Sequence, residues 1–245
     1  MSEEKQPLYG MHIRKLWLQQ ETFPSCNLYP FNLEILRQTP SLEFSKPVTF
    51  FIGENGSGKS TLLKAVARKC GIHIWEDQPR RRYHVNPCED LLHRHIRIDG
   101  DEVEGSFFAS EIFRHFAEVL DEWAVADPAS LEYFGKSSLL GQSHGQSHMA
   151  FFSNRFRIRG LYLLDEPENA LSPRMQISLL RMLRKFASGG EVQFIIATHS
   201  PILLAYPDSD IFSFNHIPIR KVDYESTDYY RIYKDFLDNP QKYLD

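Results

Sequence analysis

Apolar positions along this chain fall into runs of two kinds. Val48-Thr49-Phe50-Phe51-Ile52, after Pro47, is short, β-branched and aromatic, and it stops at Gly53. Leu161-Tyr162-Leu163-Leu164 and Val192-Gln193-Phe194-Ile195-Ile196-Ala197 have the same character. Short runs of this kind read as strands buried on both faces. Met11 to Leu18 alternates loosely and predicts a further strand.

The second kind has helical spacing. Ser60 to Lys69 carries Leu62, Leu63, Ala65, Val66 and Ala67. Pro173 to Phe186 predicts an amphipathic helix stopped by Ser188-Gly189-Gly190. Phe107, Ile112, Phe113, Phe116 and Val119/Leu120 predict one helix over Ser106 to Trp123. Tyr229, Tyr230, Ile232, Tyr233, Phe236 and Leu237 predict a C-terminal helix within Tyr224 to Leu244, packed on the core or offered to a partner. Gly71 to Asp101 has little periodicity and reads as exposed loops and short strands. The order strand, helix, strand implies an α/β fold with a parallel sheet and crossover helices.

Composition narrows the classes. A 245-residue chain with 42% hydrophobic residues can bury a substantial core. No linker or repeat divides it, so the expectation is a single domain over 1–245, with about 71–150 as an inserted, helical lobe. A net charge of -4 argues against a protein whose main task is neutralising nucleic-acid phosphates. Three cysteines without a CxxC pair, no membrane-length apolar run and a polar N-terminus make the expected location cytoplasmic.

The first run ends in Gly53-Glu54-Asn55-Gly56-Ser57-Gly58-Lys59-Ser60-Thr61. Glycines let such a loop wrap a polyphosphate with its N–H groups inward, and the following helix adds its dipole. Lys59 would reach the β- and γ-phosphates, and the Ser60 hydroxyl would ligate Mg²⁺. A strand before the loop and a helix after it are the context this mechanism requires. No Asn-Lys-x-Asp motif stands anywhere, so ATP is expected rather than GTP.

The second run ends in Asp165-Glu166-Pro167. Asp165 would hold the metal, and Glu166, facing the opposite way along an extended chain, would orient or deprotonate a water. Taken alone, two such acids would merely cap a strand before a turn. The third run leads into Thr198-His199-Ser200, where His199 can donate or accept at a γ-phosphate.

Together these residues resemble the ABC-type ATPases. Residues 53–61 are similar to that superfamily's Walker A loop, Asp165-Glu166-Pro167 to its Walker B motif with catalytic glutamate, and His199 to its switch histidine. Asn169-Ala170-Leu171-Ser172 stands where its D-loop would, with Ser172 in place of the aspartate, which puts the usual relay across the dimer in doubt. Gln142-Ser143-His144-Gly145-Gln146-Ser147 is similar to its L-S-G-G-Q signature.

The resemblance implies a mostly parallel central sheet flanked by helices, an antiparallel β portion near the N-terminus and a small helical subdomain carrying the signature loop. It also implies an ATP-dependent homodimer in which Ser143 and the Gly145 backbone close the site of a second subunit, with a protein or nucleic-acid partner. No Q-loop stands out, and Ser110 or Glu111 would take its place. Phe23, Tyr29 and Phe31 precede the loop as candidates for stacking on adenine, although aromatic residues there also suit a core.

The motif style resembles small stand-alone bacterial ATPases of the SMC-like and OLD-like branch. The interval from Lys59 to Ser143 leaves no room for long coiled-coil arms, and the residues after His199 are too few for an OLD-type nuclease domain. His73, His84, Cys88, His93 and His95 fit no zinc pattern and read as a polar loop. Arg80-Arg81-Arg82 with Arg94 and Arg97 reads as a solvated loop before a nucleic-acid patch.

Overall fold

The computed structural model describes residues 11–75, 86–100, 104–127 and 138–244. Strands β1 (Ile13–Leu18), β2 (Ser41–Glu43) and β4 (Ile96–Gly100) form an antiparallel sheet in the order β2-β1-β4. The larger sheet contains β3 (Val48–Ile52), β5 (Gly105–Ala109), β6 (Gly160–Asp165), β7 (Val192–Ala197), β8 (Asp210–Ser213) and β9 (Arg220–Lys221). Its order is β5-β6-β7-β3-β8-β9, parallel except for β9. The α/β class, the parallel sheet and the antiparallel portion near the N-terminus are as the sequence implied.

Each strand of the large sheet feeds two cores, because successive side chains point to opposite faces. Phe51, Leu161, Leu163 and Ile195 face the small sheet and helix α2 (Lys59–Lys69). Phe50, Tyr162, Leu164 and Phe194 face α3 (Phe113–Ala126), α4 (His144–Arg155) and α5 (Pro173–Ala187). Gln193, fully buried, ties the sheets together: its Oε1 accepts from the His12 and Ile13 amides at 2.8 and 2.7 Å, and its Nε2 donates to Ile13 O at 2.9 Å.

Four expectations change. Ser106 to Trp123 is not one helix: β5 occupies Gly105–Ala109, and α3 begins only at Phe113. Phe107 enters one core and Phe108 the other, a period of two that only a strand satisfies. Each buried ring contributes about 2 kcal/mol, more than helix propensity offers this short segment. Gly71 to Asp101 is less exposed than expected, since Cys88, Leu92 and Ile96 are buried and β4 pairs with β1. The C-terminal segment forms α7 (Asp228–Asp238), but the helix buries no residue and leaves Ile232, Tyr233, Phe236 and Leu237 exposed. Glu166, expected on an extended chain, is instead in the left-handed region, as described below.

No helix among the described residues is long and apolar enough to cross a membrane. Arg80, Arg81, Arg82 and His84 lie outside the described residues. Arg97 stacks on Trp17, its guanidinium carbon 3.9 Å from the ring centre. His93 and His95 bond singly to Asp90 O and Thr22 Oγ1, and no group of three metal-ligating side chains gathers among the described residues.

Candidate functional site

The carboxyl ends of β3, β6 and β7 lie side by side, with α2 covering one face of the sheet and α5 the other. A parallel sheet opens a crevice where its crossovers diverge to opposite faces. The loop after β3 turns into α2 at Gly58, whose φ of 101° is a left-handed value that only glycine adopts without strain. Lys59 follows, 5% exposed, with Nζ donating to Gly53 O at 2.6 Å and Glu54 O at 3.0 Å. Burial lowers its pKa, against the raising effect of Glu166, Asp165, Glu54 and Glu168. The ammonium is thus held by loop carbonyls, ready for a polyphosphate.

Around it, the Glu54 amide donates to Asn215 Oδ1 at 2.9 Å, and the Ser57 amide to Glu54 O at 3.2 Å. Asn55 and Gly56 are exposed at the loop's crest. Thr61 shares a short hydrogen bond with the Tyr29 hydroxyl. Of the three aromatic candidates, Tyr29 alone is exposed and touches the loop's helix; Phe31 is fully buried and Phe23 packs on it at 4.8 Å between ring centres.

Strand β6 brings Asp165 beneath this loop, where Ser60 Oγ donates to Asp165 Oδ1 at 2.9 Å. Desolvation raises the Asp165 pKa to about 6, with the Ser60 hydrogen bond opposing it. Glu166 has φ 48° and ψ 54°, so the chain turns sharply after the strand instead of running on. Three contacts hold that conformation: Glu166 N donates to Ala197 O at 2.9 Å, Ser110 Oγ donates to Glu166 O at 2.6 Å, and Asn169 Nδ2 donates to Glu166 Oε2 at 2.7 Å. A left-handed non-glycine residue costs on the order of 1–3 kcal/mol and persists only where its surroundings over-determine it. Ser110, which with Glu111 was the candidate for the Q-loop position, follows the end of β5, and its amide donates to Asp165 O at 3.3 Å.

His199 follows β7, with Nε2 3.4 Å from Glu166 Oε1. Its amide donates to Glu168 Oε1 at 2.7 Å, and its Nδ1 lies 2.8 Å from the Tyr229 hydroxyl. Burial lowers the His199 pKa, and Lys59 lowers it further, against the raising effect of Glu166 and Glu54. Burial also raises the Glu168 pKa. Glu168 and Tyr229 were missed as site residues in the sequence. Glu168 reads as a turn residue after Pro167, and Tyr229 as one apolar position on a distant helix.

Ser143 and Gly145 do not join this cluster. Ser143 caps α4 in a reciprocal box with Gln146: its Oγ accepts from Gln146 N at 3.4 Å, and its own amide donates to Gln146 Oε1 at 3.1 Å. A Cβ on Gly145 would lie 2.7 Å from Ala170 O and 2.8 Å from Met175 Sδ, so the start of α4 packs tightly on the segment after β6. A cleft of about 570 Å³ separates α4 from the strand ends, lined by Ser60, Ser110, Gln142, His148, Asp165 and Glu166. Ser172, at the D-loop aspartate position, caps α5 through Met175 N.

Known proteins share this pattern. Residues 83–205 match the family described as "AAA domain, putative AbiEii toxin, Type IV TA system", and residues 27–83 match a second AAA domain family. The thiamine import ATP-binding protein ThiQ of Haemophilus influenzae is 24% identical over 204 residues, 78% of this chain and 88% of that protein. The hemin import ATP-binding protein HmuV of Bradyrhizobium diazoefficiens is 28% identical over 179 residues, 64% of this chain and 65% of that protein. The SMC head domain from Thermotoga maritima aligns at 18% identity and a TM-score of 0.49, covering 87% of this chain and 99% of that one. With half of its length matched by the first of these families, the chain belongs to that AAA-domain family and is an ABC-type P-loop ATPase.

Proposed function

We propose that this ATPase works in the cytoplasm with Mg²⁺, closes as an ATP-sandwich homodimer and uses turnover to switch a protein or nucleic-acid partner. One observation carries the reading: Ser60, Asp165, Glu166 and His199 converge at the ends of three neighbouring strands, while Ser143 sits on a separate helix end with only its own turn for company. A site complete for binding but lacking its closing half suits assembly around a shared ligand.

The donors fit Mg²⁺. Ser60 and Asp165 present hard oxygen ligands 2.9 Å apart, and a carboxylate raised to about 6 by desolvation gains from a neighbouring cation. When bound, the ion offsets charge on the β- and γ-phosphates. Lys59 exchanges the Gly53 and Glu54 carbonyls for phosphate oxygens, and the amides at the start of α2 donate to the same group. Glu166, steadied by Asn169, orients the lytic water and takes its proton. His199 reads the γ-phosphate from the adjacent strand end. In the closed dimer, Ser143 and the Gly145 amide of the second copy would meet that phosphate.

Glu166→Gln tests both halves of the proposal. ATP turnover should fall roughly a hundredfold or more, while an ATP-bound dimer accumulates in light scattering. Turnover at the wild-type rate removes Glu166 as the base, and a monomer at saturating ATP·Mg²⁺ removes the sandwich. A second reading, the nucleotide-binding subunit of an importer, is favoured by the names of the two curated relatives. Co-purification with a multi-span membrane protein would decide for it.

A further inference from the structure

The Tyr229 hydroxyl makes two polar contacts at the strand ends. It lies 2.8 Å from His199 Nδ1 and 3.1 Å from the Gly53 carbonyl oxygen. A tyrosine has one proton to donate, and a carbonyl can only accept. Both contacts are favourable only if the tyrosine donates to Gly53 O and accepts from His199. Nδ1 must then carry a proton, while Nε2 is turned toward Glu166 Oε1 at 3.4 Å.

We propose that Tyr229 is a positioning residue of the ATPase site: from α7 it fixes the ring plane of His199, holds its Nδ1 protonated and ties both to the first residue of the phosphate loop. The inference rests on the hydrolytic reading of Glu166 and His199 given above. Neither Ser200 nor Thr198 reaches the ring: Ser200 Oγ donates to Gln176, and Thr198 Oγ1 accepts from the Ser200 amide. The backbone of His199 is held separately by Glu168. Among the described residues the ring's own hydrogen-bond anchor is therefore the tyrosine. The phenol meets the imidazole edge-on, with ring centres 5.6 Å apart and planes at 71°, a contact that phenylalanine preserves while losing the hydroxyl.

The arrangement makes α7 part of the catalytic apparatus, although the helix buries none of its residues. Thr227 caps it through Tyr230 N, and the Tyr224 hydroxyl donates to Pro201 O, so the helix start is fixed beside the strand ends. Its second residue then carries Tyr229 inward to the site.

The test compares steady-state ATP hydrolysis by the wild type, Tyr229→Phe, His199→Ala, the double variant and Tyr230→Phe. It adds long-range ¹⁵N–¹H spectra of the histidine side chains. Tyr229→Phe should lower kcat about tenfold with KM for ATP within about twofold, as expected for one lost hydrogen bond that orients a reacting group. The double variant should be no slower than His199→Ala alone. Tyr230→Phe, which loses only an exposed hydroxyl beside Lys234, should match the wild type.

The wild-type spectrum should report a protonated Nδ1 on His199, and Tyr229→Phe should populate a ring whose Nδ1 lacks a proton. An unchanged kcat in Tyr229→Phe beside an impaired His199→Ala overturns this inference alone, as does a wild-type Nδ1 that carries no proton. A wild-type rate in His199→Ala overturns the hydrolytic reading beneath it. The wild-type spectrum decides even if Tyr229→Phe does not fold.

Discussion

The strand ends and the start of α4 are built on opposite plans. At the strand ends, Lys59, Ser60, Asp165, Glu166 and His199 are bound to one another or to nearby backbone, and the parallel sheet fixes their separations. At the start of α4, Ser143 bonds, among the described residues, only within its own turn, and what lies beneath it is locked by the close approach of Gly145 to Ala170. The first region is preorganised for a ligand within one chain. The second is a rigid presentation of a helix end with nothing of its own to close upon. In the proposed sandwich dimer, rigid halves on separate elements would make ATP turnover depend on assembly, because neither half can deform toward the other cheaply.

The sharpest way to break the comparison is complementation. Lys59→Ala and Ser143→Arg should each lose roughly a hundredfold in ATP turnover. Mixed in equal amounts, random pairing makes half the dimers mixed, each with one intact composite site, so activity should return to roughly a quarter of the wild type. If the mixture stays inactive, the signature does not act across a two-fold interface.

The loss of about tenfold expected for Tyr229→Phe comes next, and it tests whether the strand-end region extends to α7. Gly145→Ala probes the other region. Its Cβ would intrude on Ala170 O and Met175 Sδ, so overpacking should cost about 1–3 kcal/mol and lower the melting temperature by several degrees. An unchanged melting temperature would mean that α4 is free to shift.

The smallest effect is a pH dependence of the strand-end region. Asp165 titrates at about 6 in the folded protein, raised from an ordinary value of 3.8. The folded state therefore holds the proton more tightly than the unfolded one, and this group's contribution to stability falls as pH rises from about 4 to about 6. Asp165→Asn, without nucleotide or metal, should melt roughly 5 °C above the wild type at pH 7.5 and lose that advantage near pH 4. Equal melting temperatures at both values would show that Asp165 is not desolvated.

Much of this was legible in residue order, for identifiable reasons. The phosphate loop, Asp165-Glu166 and His199 each follow an apolar run, and a strand buried on both faces announces its own end. Phe107 and Phe108 failed as a strand signal because Ile112, Phe113 and Phe116 continue them at helical spacing. Only two cores, one on each side of β5, separate the two periods. Glu166 was expected on an extended backbone and is in the left-handed region. Its left-handed turn is imposed by Ala197, Ser110 and Asn169, which approach from three different elements.

The sequence by itself determined the candidate groups for the chemistry and the strand that carries each, because loop glycines, strand-end acids and helix caps act through local backbone preference. Tertiary structure alone decided how those groups combine. Tyr229 stands 176 positions from Gly53 yet shares a hydrogen bond with it, and Ser143 lies closer along the chain to Glu166 than His199 does yet stands apart from it. Local pattern carries no record of such distances. They follow from the strand order β6-β7-β3, which is set by the burial of whole faces rather than by any single motif.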